Sequence, residues 1–151
     1  MASKNDYTFI KKIGRGAFAD VHYAINRKTL HNYAIKTIDK TKIKSERMRE
    51  RVREEIKIHS KISRINHENV VMLHVYFEDD DFVYLVLDYC PRKDVRHYLR
   101  VKESGRLSEN EGKFCDFVYK SKYILGTFFY CYLALKDYFS VCIYFLPLCI
   151  A

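Results

Sequence analysis

Hydrophobic positions between Thr8 and Leu87 recur in two rhythms, and each rhythm marks a different kind of element. Thr8-Phe9-Ile10-Lys11-Lys12-Ile13, Val21-His22-Tyr23-Ala24-Ile25 and Tyr33-Ala34-Ile35-Lys36-Thr37-Ile38 are short runs rich in β-branched and aromatic residues. A glycine-containing turn and then Asn26-Arg27-Lys28-Thr29 separate them. Runs of this length joined by tight breaks predict three antiparallel strands in a meander. From Ser45 the period lengthens: Met48, Val52, Ile56 and His59 follow one another at steps of three and four, the signature of one helix face. Two more strands, Met72-Leu73-His74-Val75-Tyr76-Phe77 and Phe82-Val83-Tyr84-Leu85-Val86-Leu87, flank the acidic turn Glu78-Asp79-Asp80-Asp81. The expected fold class is therefore α+β, a five-stranded antiparallel sheet with one helix packed on it. A short helix is expected near 95–102, and Ser108-Glu109-Asn110-Glu111 has the Ser-x-x-Glu form that opens another.

One residue breaks the helical pattern. Glu55 lies three positions after Val52 and four before His59, on the apolar stripe. A carboxylate there needs a cation from elsewhere in the fold, because charged side chains are almost never buried unpaired. The opposite side, Glu46-Arg47, Arg49-Glu50-Arg51 and Arg53-Glu54, reads as a solvated face with i,i+4 charge pairs.

Composition then divides the chain in two. It has 151 residues, 48% hydrophobic and 30% charged, with a net charge of +8, which suits one globular domain and excludes two large lobes. The last 35 residues, from Phe117 onward, hold three lysines and one aspartate but 11 of the 23 aromatics, so the basic part and the apolar part are separate segments. Lys and Arg are interleaved with Glu and Asp along 40–61, and no specific nucleic-acid partner is expected. The five cysteines form no C-x-x-C pair and four lie in the apolar tail, so buried thiols are expected, and no metal site. The polar start, with no apolar leader, agrees with a reducing, cytoplasmic compartment.

Candidate chemistry gathers at three places. Gly14-Arg15-Gly16-Ala17-Phe18-Ala19-Asp20-Val21 sits between two strands, not between a strand and a helix. That position suits a hairpin tip closing over phosphates with backbone N–H groups, Gly14 and Gly16 allowing close approach and unusual φ. Lys36 lies on the third strand with Ala34 two residues earlier on the same side, a cation and a small residue suited to a phosphate oxygen and a flat base. Lys36 is also the evident partner for Glu55. Each signal alone has a bland explanation, a plain turn or an exposed strand lysine, but an exposed lysine leaves the inward glutamate unexplained.

Together these residues resemble the protein kinase family, with its glycine-rich loop, strand lysine and helix glutamate. The resemblance covers about residues 7–114, a small lobe with its hinge and the start of the large lobe, and leaves 115–151 as an apolar tail expected to be mostly helical. It implies ATP as cofactor, with Lys36 on the α- and β-phosphates and Glu55 orienting it. It also implies a loop of Gly14, Arg15, Gly16, Ala17, Phe18 and Ala19, with Ile13 and Val21 capping the base beside Ala34. Leu87 would be the gatekeeper, Asp88-Tyr89-Cys90 the hinge, and Asp94 a ribose contact. More narrowly, Ala34-Ile35-Lys36-Thr37-Ile38-Asp39-Lys40, Arg51-Val52-Arg53-Glu54-Glu55-Ile56-Lys57-Ile58-His59 and Tyr76-Phe77-Glu78-Asp79 are similar to the SAK-type polo-like serine/threonine kinases. That likeness implies centriole duplication as the setting and polo-like kinase partners. Departures are Ala19 for the third loop glycine, Tyr33 for the usual valine, and Lys93 where glycine is common.

The same resemblance exposes what is missing. At family spacing from Ser108, His-Arg-Asp would fall where the chain reads Leu133-Ala134-Leu135, and the following Asn would be Ser140. Phosphoryl transfer needs that aspartate and the magnesium ligands, so the chain as written is expected to be catalytically inactive, with an interaction fragment competing with a full-length kinase as the alternative. Three readings of the tail stay open: an alternative or unspliced exon, a membrane segment at 124–151, or an imperfect helix under the small lobe. For membrane insertion, 13 Leu, Ile, Phe and Val residues contribute about −4 to −8 kcal/mol, against about +5 to +7 for Lys136 and Asp137. The terms cancel and leave insertion undecided.

Overall fold

The computed structural model describes residues 2–66, 71–91, 100–110 and 112–113. Five strands form one sheet: β1 (Tyr7–Arg15), β2 (Ala19–Asn26), β3 (Asn32–Asp39), β4 (Leu73–Glu78) and β5 (Phe82–Asp88). Their order is β1-β2-β3-β5-β4, and every neighbouring pair is antiparallel. One helix, α1 (Glu46–Ser63), joins β3 to β4. The α+β expectation therefore holds, with β5 inserted beside β3 and β4 forced to the edge.

β5 is central because both of its faces are apolar. Val83, Leu85 and Leu87 point to the side that α1 covers, where they pack with Ala19, Val21, Ala34, Ile38 and Val52. Tyr84 and Val86 point to the other side, with Tyr7, Ala24 and Ile35. A strand buried on both faces reads as a continuous apolar run, and Phe82 to Leu87 is one. The outer layer is aromatic: Phe77 stacks on Tyr84 with ring centroids 5.0 Å apart, and Phe9 meets Tyr84 edge-on.

β1 runs two residues past Ile13, placing Gly14 opposite Val21 and Arg15 opposite Asp20, with register shifts between Phe9 and Lys11 and between Lys12 and Gly14. Such bulges increase twist at a sheet edge. The β2–β3 turn is built by the Asn26 side chain, whose Oδ1 accepts from the N–H groups of Lys28 at 2.9 Å and Thr29 at 3.0 Å.

α1 begins where Ser45, in extended conformation, accepts with its Oγ from the Met48 N–H at 3.3 Å. The same N–H also reaches the Ser45 carbonyl at 3.0 Å, so the hydroxyl is a second acceptor for a first-turn donor that has no i−4 carbonyl. At its other end, Ser63 Oγ accepts from the Leu73 N–H at 2.8 Å, tying the last turn to β4. His59 is fully buried, its Nε2 2.8 Å from the Val71 carbonyl oxygen. On the solvent face Glu46 takes Arg49 at 3.3 Å and Arg53 at 3.1 Å, so these pairings step by three and seven rather than four, the long arginine reaching back two turns.

The helix expected near 95–102 is seen at residues 100–101, while 92–99 lie outside the described residues. Helical structure resumes at Glu109, where the Ser108 carbonyl accepts from the Gly112 N–H at 2.8 Å, as the Ser-x-x-Glu pattern predicts. Asp94 and the whole of 115–151 also lie outside the described residues. Among the described residues no helix is long and apolar enough to cross a membrane.

Candidate nucleotide site

The sheet register assembles the site. Val21 on β2 faces Lys36 on β3, and Lys36 in turn faces Leu85 on β5, so these side chains lie in a row on the side covered by α1. Alternation puts Ala34 on the same side, opposite Leu87. Ile13, Val21, Ala34, Leu87, Cys90 and Tyr89 share one apolar cluster, which brings the predicted base-capping, gatekeeper and hinge residues together.

Lys36 is the only cation in the buried set, 6% exposed as a residue, among the described residues. Its Nζ pairs with Glu55 Oε1 from α1, the partner expected from the carboxylate on the helix stripe. The carboxylate is the wetter partner, with its side chain 17% exposed. The pair sets an ammonium into a largely apolar wall, and an ammonium has three donors, of which this contact takes one.

The glycine hairpin departs from expectation in one respect. Among the described residues the glycine with positive φ is Gly105, at 59°. Gly14 and Gly16 thus adopt backbone angles open to any residue, and Gly14 lies within β1. What they contribute is the missing side chain, not an unusual φ. The tip is already closed: the Gly16 N–H donates to the Ala19 carbonyl at 2.7 Å, and the Phe18 carbonyl accepts from the Asp39 N–H at 3.0 Å. In this conformation the Gly16 N–H is therefore spent on the hairpin, while Ala17 is exposed at its apex. Across the hairpin Asp20 accepts from Lys12 at 2.6 Å, with Arg15 4.0 Å away, and the Lys12 hydrogen bond is the main influence holding the Asp20 carboxyl below its usual range.

At the end of β5, Asp88 does more than its place in the chain suggests. Its Oδ2 accepts from the Met72 N–H at 3.0 Å, its Oδ1 lies 2.8 Å from His74 Nε2, and its own N–H donates to the Met72 carbonyl at 3.1 Å. The side chain fastens the end of β5 to the edge strand. No period or motif marked it for this, because both partners come from a segment 14 to 16 residues earlier. Tyr23 was also missed, though it packs on Tyr89 with ring centroids 4.5 Å apart. A separate cavity of about 450 Å³ opens between the last turn of α1 and β4, lined by residues that include Ser60, Arg64, Met72 and Tyr76.

Among the described residues no group of three or more His, Cys, Asp or Glu side chains could hold a metal ion. The magnesium that accompanies a kinase nucleotide finds no such donor set among the described residues.

The protein kinase domain family model matches residues 7–132 of the chain. The serine/threonine-protein kinase PLK4 of Drosophila grimshawi is 36% identical over 107 residues, covering 71% of this chain and 14% of the relative. PLK4 of Xenopus laevis is 36% identical over 110 residues, 73% of this chain and 11% of the relative. The inactive serine/threonine-protein kinase PLK5 of Mus musculus is 36% identical over 104 residues, 69% and 17% respectively. The chain thus spans less than a fifth of these relatives. The family model covers more than half of the chain, the sheet order, α1 and the lysine–glutamate pair between them agree with it, and the chain belongs to the protein kinase family.

Proposed function

We propose that the chain carries the nucleotide-holding lobe of a polo-like serine/threonine kinase, that ATP is the ligand of its cleft, and that the 151-residue chain does not itself transfer phosphate. The observation that supports the nucleotide is the Lys36–Glu55 pair, a positive charge in an apolar wall beside a hairpin that carries two glycines, Gly14 and Gly16. Lys36 would meet the polyphosphate oxygens, and Glu55 would hold the ammonium against swinging into solvent. Ile13, Val21, Ala34 and Leu87 would sandwich the base, with backbone groups of Asp88 and Cys90 along its edge. Gly14, Arg15, Gly16, Ala17, Phe18 and Ala19 would cover the phosphates, and Asp94 would meet the ribose. ATP would supply the phosphoryl group. Inactivity follows from Leu133-Ala134-Leu135 and Ser140 at the spacing where a catalytic aspartate and a metal-binding asparagine are needed. In this reading the function is exercised in the cytoplasm, at the centriole, and what supports that setting is the likeness to polo-like kinases.

Incubation of the purified chain with radiolabelled ATP, magnesium and casein tests the second half: label on casein above a protein-free blank overturns it. Titration with ADP tests the first half. Weak but saturable binding that Lys36→Met abolishes is expected, and identical titrations for wild type and Lys36→Met overturn the assignment.

A second reading is favoured by one finding, that a relative of equal identity is itself named an inactive kinase. In this reading the chain is a noncatalytic fragment competing with a full-length kinase for partners. Capture of polo-like kinase partners that survives both Lys36→Met and Gly16→Val would support it.

A further inference from the structure

Two aromatic side chains at the hinge have no role in the arrangement above. Tyr23 faces Ala34 across the β2–β3 ladder, so it lies on the cleft side of the sheet, one alternation beyond Val21 toward the hinge. Its hydroxyl donates to Asn32 Oδ1 at 2.9 Å, which fixes the ring from the first residue of β3. Against that ring lies Tyr89, centroids 4.5 Å apart and planes inclined by 39°. Tyr89 follows directly on the Asp88 clasp and also touches the cluster containing Val21, Ala34 and Leu87.

We propose that Tyr23 is a positioning residue: held by Asn32, its ring braces Tyr89 and so fixes the hinge backbone of residues 88–91 at the height where a base would meet it. The proposal rests on the nucleotide assignment for its purpose but not for its geometry. Asp88 secures only the start of the hinge, to β4. Beyond it the chain leaves the sheet, where Cys90 is buried in the cluster that contains Val21 and the aromatic contact adds a link from Tyr89 back to β2. A tilted pair at this separation stabilises beyond its buried area, and a lost local contact shows first as local opening.

Hydrogen exchange of the full chain tests the brace. Tyr23→Ala should speed exchange in the peptide spanning 88–91 by about fivefold to tenfold, with little change in β3. Tyr23→Phe keeps the ring and loses only the Asn32 bond, and should restore most of the protection. Should Tyr23→Ala lower the unfolding midpoint of the whole chain, Tyr89→Leu reads the same contact from the hinge side, outside the strands. Equal 88–91 exchange in wild type, Tyr23→Ala and Tyr89→Leu overturns the proposal. ADP titration supplies the second arm: a fall in affinity of similar factor in Tyr23→Ala, rescued in Tyr23→Phe, supports positioning, and unchanged affinity overturns it. A wild-type chain that takes no ADP overturns the nucleotide assignment instead, and exchange alone then decides the brace.

Discussion

Lys36 on β3 and Glu55 on α1, 19 residues apart, form an ion pair in which the ammonium is more deeply buried than the carboxylate, with side chains 7% and 17% exposed. The asymmetry decides which partner is costlier to lose.

Removing Glu55 strands the buried cation, whereas removing Lys36 leaves a carboxylate with a route to water. Glu55→Ala should therefore cost about 3 kcal/mol of unfolding free energy and Lys36→Met about 1 to 2. Lys36→Met with Glu55→Leu should recover to within about 1 kcal/mol of wild type, since neither charge is then buried alone. Urea unfolding of the three variants checks the order. Equal losses for the two single variants would mean that both charges reach solvent equally.

This pair also shows how much could be read from the chain. Glu55 is legible because it is the one acid on an apolar helical stripe, and Lys36 because it is a cation on an otherwise apolar strand; each is an exception to a regular pattern. Strand positions are legible for the same reason of period. Strand order is less so: nothing local says that β5 passes β4 to lie beside β3, and only its burial on both faces, Val83 to Leu87, betrays a central place. The Asp88 clasp and the Tyr23–Tyr89 contact were illegible because they join residues whose own neighbourhoods look ordinary. Gly14 misled in the other direction, since a glycine marks a turn by habit and here lies in a strand.

His59 should make stability depend on pH in a defined window. Its Nε2 must carry a proton, because the Val71 carbonyl oxygen 2.8 Å away only accepts. Burial, opposed in part by that hydrogen bond and by Glu55, lowers its pKa from 6.5 to about 4, with Lys36 and Asp88 the other charges in range. The unfolded chain takes up the proton below about 6.5 while the folded one resists until about 4, so stability falls as pH drops through this interval and is flat above it. The loss over the whole window is about 3 kcal/mol. His59→Gln keeps a donor for Val71 and removes the titration. Urea midpoints from pH 7 to pH 4.5 should be flatter in that variant, with a residual slope from His22, whose pKa burial also lowers. Equal slopes in the two proteins would exclude His59 as the source.

Asp88 should act as a clasp rather than a charge. Asp88→Ala removes the acceptor for the Met72 N–H in a partly buried setting and should cost about 1 to 2 kcal/mol. Asp88→Asn retains an oxygen for Met72 and should cost about half as much. The difference should appear locally as faster amide exchange at 72–74 in the alanine variant. Uniform acceleration across the sheet would instead mean that the clasp stabilises the fold globally.

Ser45 separates the stability of α1 from the integrity of the site. Its hydroxyl is the cap at the start of the helix, and Ser45→Ala should cost about 1 kcal/mol, while Ser45→Asp should be near neutral because a carboxylate also accepts from the first turn and complements the helix dipole. Glu55 lies ten residues further on, about 15 Å along the axis. End fraying is confined to the first turn. Val52, buried three residues before Glu55, and the fully buried His59 four after it pin the helix on either side of the glutamate. The expected result is a lower unfolding midpoint for Ser45→Ala with unchanged ADP affinity, read by thermal unfolding and titration on the same preparation. If affinity falls together with stability, α1 does not hold Glu55 as a rigid element, and the pairing with Lys36 depends on the first turn as well as on the buried middle of the helix.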